Sequence, residues 1–528
     1  MKEAIKKYST ELLLAFGFSF MMYFYEPLLL YYSNIYDFWF DIYLYFKYVI
    51  LLFIVMFIVI FILLMLFRLL CKEKLSKELS YVVFIFSYIQ GNILIGNLAP
   101  IDGFNLIPDK TEFYLGSIAS YILFISVFLM INYIFKKKKI KAIDKIIKYS
   151  VIVIFIMLST VIVSFTFKKD MFVKKENVYA TSRNLNNYSN NKNFIVLVLD
   201  SVDSKYFDNL LTDKNVLNDF TYYPDTLSGY PYTRYSIPLI LTGKRYKNEE
   251  PFVNFYTKSI KESSLINNFK DDNYSINVYT PEVLYNDNDY SIVENLSKAD
   301  TIDFINLIKV QTKYSFYKYS AYSLKFFSNI TKLNYNDLKP KDYYVTDNKE
   351  FYDGIDNIKI VDNNVYKLIH IDGAHWPYKY GEDLKTSNGT YEDAIKSSIS
   401  IVEKYLKVLK ENNLYDNSVI VILADHGSLT EGDLKMRTNP ILYIKGFNES
   451  HDYNVSLDKV SYKDLDSAFI KLLSGSDSKK IFENNDNTER EVYLYEFNND
   501  KELYEWKQPS NAWDFESLYY SGRTFRKK

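Results

Sequence analysis

The sequence predicts two parts with different solvents. Residues 1–168 read as a five-helix transmembrane domain, residues 169–192 as a polar linker, and residues 193–528 as an extracytoplasmic α/β domain with a mainly parallel central sheet. Three observations carry this. Five apolar stretches of membrane-spanning length fall in the first third. Three short β-branched runs follow, two of them ending in Asp. An amphipathic helix separates the last two runs, which is the pattern of a strand–helix–strand unit.

A chain of 528 residues is too long for one core. Its net charge of -1 hides a split. Residues 1–170 hold 18 Lys/Arg against 12 Asp/Glu, and the remainder holds 45 against 52. The overall balance argues against a nucleic-acid partner. One Cys and four His exclude an intramolecular disulfide and a Cys₄ zinc site.

A transmembrane helix takes about 20 mostly apolar residues. Segments 9–29, 48–70, 80–98, 113–135 and 148–167 meet that length. The second holds an uncharged run from Ile50 to Phe67. The first carries Glu26-Pro27 near its far end, and the third is interrupted by Gln90, Gly91 and Asn92. The alternative for each is a buried core helix. The first span lacks a small-residue cleavage site, so it reads as an anchor and not a cleaved signal peptide.

Orientation follows from Lys and Arg near the spans. Lys2, Lys6 and Lys7 precede span one. Arg68, Lys72, Lys74 and Lys77 follow span two, and Lys136–Lys139, Lys141, Lys145 and Lys148 follow span four. The other two loops hold only Lys47 and Lys110. The N-terminus is therefore expected in the cytoplasm and the domain after span five outside it, on the plasma membrane. Lys168, Lys169, Lys174 and Lys175 break the rule beside a large translocated domain. Cys71 then lies at the cytoplasmic face. Phe38, Trp39, Phe40, Tyr43, Tyr45 and Phe46 read either as an interfacial belt or as packing against the exported domain.

In the polar part, Phe194–Leu199 is a continuous apolar run ending at Asp200. Val365–Ile371 is a second. Val419–Ala424, ending at Asp425, is a third. Such runs read as buried parallel strands. Ile395, Ile399, Val402, Leu406 and Leu409 recur at helical steps over 391–412. Ligands of such sheets sit beyond the C-terminal ends of the strands, where Asp200 and Asp425 fall.

The chemistry-bearing residues lie in five segments. Asp200 and Asp203 follow the first strand. Thr233 and Arg234 lie in GYPYTRYSIPLILTG. His370 and His375 lie in HIDGAHWPY, Asp425-His426-Gly427 follows VILA, and Lys435 and Arg437 lie in LKMRTNPIL. Each has a bland alternative: a helix cap for Asp200, a turn residue for Thr233, a packed histidine for His375. His370 reads as packed core and His451 as a surface residue.

In order, this pattern resembles the alkaline-phosphatase superfamily in its sulfatase-like membrane branch, which includes phosphoethanolamine transferases and lipoteichoic acid synthases. Members have five N-terminal spans and an exported catalytic domain. Asp200 matches the family's first acidic ligand. Thr233, Ser236 and Pro238 match its nucleophile segment, Asp425, His426 and Gly427 its Asp-His-Gly segment, and His375 its active-site His. The chain departs at one point: relatives carry another His after the Asp-His-Gly segment, and Lys435 and Arg437 occupy that stretch here.

The resemblance implies a metal site of Asp200, Thr233, Asp425 and His426. Two carboxylates and an imidazole suit Zn²⁺, with Mn²⁺ or Mg²⁺ as alternatives. Metal coordination would activate the Thr233 hydroxyl for attack on a phosphodiester, giving a phospho-threonine. His375 would act as acid or base, and Arg234, Lys435 and Arg437 would bind the substrate. The implied partners are a membrane phospholipid donor and an envelope glycan, lipid or polymer acceptor. The expected activity is transfer of a phosphoethanolamine or phosphoglycerol headgroup. The alternatives are a phosphodiesterase or sulfatase-like hydrolase and a non-catalytic membrane sensor. The formylglycine route needs Cys or Ser in C/S-x-P-S-R, but Ser236-Ile-Pro238 runs on into Leu239-Ile240.

Overall fold

The structure is a computed structural model. It describes residues 8–33, 35, 38–94, 110–136, 140–167, 169–172, 178–281, 292–298, 300–328, 338, 340–387, 389–428, 433–483, 489–496 and 499–527. Of the residues used for orientation, Lys2, Lys6, Lys7, Lys137–Lys139, Lys168, Lys174 and Lys175 lie outside these. The chain divides into two compact units: residues 1–177 with 299–341, and residues 178–298 with 342–528.

The first unit is helical. Four helices are long and apolar enough to cross a membrane: α1 (Ser9–Ser33), α2 (Ile42–Leu70), and the windows Phe113–Lys136 and Lys148–Phe165. The predicted count of five is not reached among the described residues. The third predicted span folds as α3, Glu73–Asn92. Its first turns carry Glu73, Lys74, Lys77 and Glu78, so it is too polar to qualify, and residues 95–98 lie outside the described chain. The last two spans belong to α4 (Lys110–Lys136) and α5 (Ile140–Phe165). Phe38 and Phe40 before α2, and Tyr45 in its first turn, are buried within this unit and pack around Tyr31.

Helix α1 contains a π-helical turn, Met21–Tyr25. In that register the Met22 carbonyl would accept from residue 27, which is proline and has no N–H. Gln311 Nε2 (2.9 Å) and Ser315 Oγ (3.0 Å) donate to it instead. Both lie on the helix Phe304–Tyr319, which the sequence alone did not separate from the α/β part. The next turns of that helix supply Lys318 Nζ, at 2.7 Å from both oxygens of buried Glu26, and Tyr319 OH at 2.8 Å. A buried carboxylate needs such partners to offset its lost hydration.

The second unit is built on a seven-stranded mixed sheet. Its strands are β1 (Asn193–Leu199), β2 (Thr221–Tyr222), β3 (Tyr274–Tyr279), β4 (Asn364–Ile371), β5 (Ser418–Leu423), β6 (Leu442–Lys445) and β7 (Asn454–Val455), in the order β7-β2-β6-β5-β1-β4-β3. β6 runs antiparallel to both of its neighbours, and every other neighbouring pair is parallel. The three predicted runs form β1, β4 and β5. β1 is buried at every position, which is why it reads as unbroken apolar sequence.

Three helices position the site: α6 (Ser204–Leu210), α7 (Thr233–Thr242) and α8 (Tyr391–Glu411). α8 follows the predicted helix. It starts in a Thr390/Asp393 capping box and buries Ile395, Val402, Leu406 and Leu409. A three-stranded antiparallel sheet, β8 (Arg490–Glu496), β9 (Asn499–Gln508) and β10 (Tyr519–Arg526), closes the chain.

Candidate metal centre and active site

Parallel pairing sets the site. Val198 pairs with His370 on one side of β1 and with Leu423 on the other. The residues just beyond the strand ends therefore converge, and Asp200, Asp425 and His426 form a buried cluster whose ligand atoms all lie within 4.8 Å of one another.

Ser201 ties the two carboxylates together. Its N–H donates to Asp425 Oδ1 at 3.2 Å and its hydroxyl to Asp200 Oδ1 at 2.8 Å. It does so at φ +59°, a left-handed conformation held by Tyr391 OH on its carbonyl at 2.9 Å. Gly373 (φ +54°) packs on the Asp200 backbone so closely that a Cβ there would lie 2.5 Å from Asp200 N. Only glycine fits that contact.

Asp200 Oδ2 faces His370 Nε2 at 3.3 Å. Burial alone would raise the Asp200 carboxyl. The His370 hydrogen bond and the neighbouring imidazoles of His426 and His375 outweigh it and hold the group below the ordinary carboxylate range. His426 goes the other way for a base. Burial, aided by the Arg437 cation, outweighs the attraction of Asp425 and Asp200 and lowers its pKa. Its Nδ1 lies 2.9 Å from Gly427 O. With Nδ1–H donating there, Nε2 is the nitrogen left unprotonated, as a metal-binding histidine requires.

The donor set fits a divalent ion. Asp425 Oδ2 is buried without a hydrogen-bond partner and lies 3.2 Å from His426 Nε2. An unpartnered buried carboxylate oxygen is costly unless a cation meets it.

Thr233 opens α7 and points at the same atoms. Its Oγ1 is 3.4 Å from Asp200 Oδ2 and 3.3 Å from His426 Nε2. Both distances are long for a hydroxyl hydrogen bond, so neither partner locks it. Arg437 also joins the cluster, with Nη2 at 2.8 Å from His426 Nε2.

The remaining predicted residues lie elsewhere. Arg234 is exposed, its guanidinium over the Phe252 ring at 4.9 Å. Lys435 Nζ sits over Trp506 at 4.1 Å. His375 is exposed on the loop after β4, and it is among the groups that lower the Asp200 pKa. Asp203 caps α6 by accepting from Lys205 N at 3.0 Å. His451 lies in a loop, 3.7 Å from Glu449. Two contributors escaped the sequence reading. His370 reads there as packed core, and its only signal is a polar residue one step from the end of a strand paired with β1. Ser201 carries no signal at all.

A family model described as Sulfatase matches residues 192–458, which is half of the chain and contains every residue of the cluster. The chain belongs to the sulfatase family. Sulfatase-family proteins use divalent metals, and the family is one of hydrolases and transferases, in keeping with the Asp/His cluster. Similar solved structures include an alkaline-phosphatase-superfamily protein from Vibrio parahaemolyticus, at 12% identity and TM-score 0.37, covering 66% of this chain and 81% of that one. The phosphonate monoester hydrolase SpPMH from Silicibacter pomeroyi matches at 13% and 0.37, over 63% and 89%. The lipoteichoic acid synthase LtaP from Listeria monocytogenes matches at 12% and 0.33, over 63% and 86%. No curated protein matches this sulfatase-family chain.

Proposed function

We propose that the chain is a membrane-anchored, metal-dependent transferase. It moves a phosphoethanolamine or phosphoglycerol headgroup from a phospholipid to an extracytoplasmic glycan, lipid or polymer, through a phospho-threonine on Thr233. The observation that carries this reading is the Thr233 hydroxyl, within 3.4 Å of both Asp200 Oδ2 and His426 Nε2. Threonine cannot be converted to formylglycine, and the chain's one Cys, Cys71, lies in the helical unit.

Asp200, Asp425, His426 and Thr233 Oγ1 would hold the ion. A divalent ion there supplies positive charge that favours the ionised hydroxyl and offsets charge on the phosphoryl oxygens. Once its proton has left for solvent, Thr233 Oγ1 attacks phosphorus. Its place at the first position of α7 adds the helix dipole, which favours negative charge on that oxygen. The bond from phosphorus to the diacylglycerol oxygen breaks, and His375 supplies that oxygen with a proton. An acceptor hydroxyl then attacks phosphorus and gives its proton to His375, the bond from phosphorus to Thr233 Oγ1 breaks, and Thr233 is free again. Arg437, beside His426, meets the charge of the transferring group.

The test is product analysis with the full chain in lipid nanodiscs holding labelled phosphatidylethanolamine or phosphatidylglycerol. The expected product is diacylglycerol, formed in a Thr233-dependent reaction. Release of phosphatidic acid instead would contradict the reading.

A further inference from the structure

A cavity of about 790 Å³ opens in the α/β unit beside the metal-competent cluster. That size lies within the range of small-molecule sites, about 300–1,000 Å³. Part of its lining comes from the same segments that carry the cluster. Asp203 lines it from the Asp200 turn, Ser428 from the His426 turn, and Met436 from the residue before Arg437.

Another part is aromatic. Trp513, Phe515 and Tyr206 line it, and Trp513 is 44% exposed. The loop that carries Trp513 and Phe515 is held firmly. Arg490 Nη2 donates to Ser510 O at 2.8 Å, Asp225 Oδ1 accepts from Ala512 N at 2.6 Å, and Gln508 Nε2 donates to Asp514 O at 2.8 Å. Arg490 and Asp225 are themselves a buried pair at 2.7 Å. Aromatic faces held in this way need little ordering when a ligand arrives.

Charge selects the ligand. The described lining carries Asp203, Asp208 and Lys205, and Lys214 pairs with Asp208 at 2.7 and 2.8 Å, so its carboxylates and ammonium groups balance. A chain of repeated phosphodiesters would find no excess of cations there to offset its charge. An uncharged sugar instead offers C–H faces to the rings and hydroxyls to Asp203, Lys205 and Asn209. We propose that this cavity is the acceptor subsite and that it takes the terminal sugars of an uncharged glycan. The inference rests on the transferase reading above and narrows its acceptor.

The experiment is saturation-transfer NMR on the full chain in lipid nanodiscs, with maltotriose, chitotriose and a glycerol-phosphate hexamer as probes. The expected result is saturable binding of a neutral trisaccharide, weakened at least tenfold (about 1.4 kcal/mol) by Trp513→Ala and by Asn209→Ala, both at exposed positions. Binding of the hexamer in place of the sugars would overturn it. If neither trisaccharide binds while phospholipid is still cleaved, the sugar subsite is wrong and the transferase reading stands. If a trisaccharide binds but no phospholipid is cleaved, the transferase reading fails and the acceptor role falls with it.

Discussion

His370 Nε2 reaches Asp200 Oδ2 at 3.3 Å from the neighbouring strand, while its Nδ1 meets Thr280 Oγ1 at 3.0 Å. The imidazole is thus fixed at both nitrogens, and it fixes the carboxylate. It acts through Asp200 and is a positioning residue. His370→Ala is expected to lower metal affinity and turnover by about 10–100-fold, the usual cost of losing a partner of a metal ligand. His370→Gln, which can still donate a hydrogen bond, should recover part of both. Metal titration alongside kinetics checks this. Unchanged metal affinity in His370→Ala would remove the role.

The lowered pKa of His426 has a consequence for stability after the metal is chelated. In the unfolded chain the imidazole titrates near its ordinary value of 6.5, and in the fold it titrates lower. As pH falls below 6.5 the unfolded state takes up a proton that the folded state refuses, so stability falls. The loss levels off beneath the folded pKa. Thermal unfolding of chelated protein between pH 7.5 and 5 should show this slope, and His426→Gln should flatten it. An equal slope in both proteins would contradict the assignment.

Arg490 and Asp225 form an ion pair whose side chains are 0% and 3% exposed. Arg490 also donates to Asp225 O at 2.7 Å and to Val460 O at 3.1 Å, which ties β8 to the main core. Arg490→Ala strands a buried carboxylate and should cost about 3–5 kcal/mol. The double variant Arg490→Met with Asp225→Leu should recover much of that. Thermal unfolding of the three proteins checks it. No recovery in the double variant would show that the carbonyl contacts, and not the stranded charge, set the cost.

Much of this architecture is legible in the residues. β1, β4 and β5 read as apolar runs because both faces of the sheet are covered, and α8 reads from its apolar stripe. Asp200, Thr233, Asp425 and His426 are visible because they sit at element ends, where side chains are freed from core packing. His370 is hidden because strand pairing brings it to Asp200 across a large gap in sequence. Helix Phe304–Tyr319 is hidden for a similar reason. Its polar residues Gln311, Ser315 and Lys318 have meaning only against Met22 and Glu26. α3 misleads because its second half is apolar enough to suggest a span while its first turns are charged.

The central claim is that Thr233 carries the transferring group. The most direct measurement is mass spectrometry of the full chain, metal-loaded in phospholipid nanodiscs and quenched without acceptor. A phosphoethanolamine or phosphoglycerol adduct is expected on the peptide containing Thr233, absent in Thr233→Ala, which should also be inactive. An adduct on another residue, or full activity in Thr233→Ala, would contradict it.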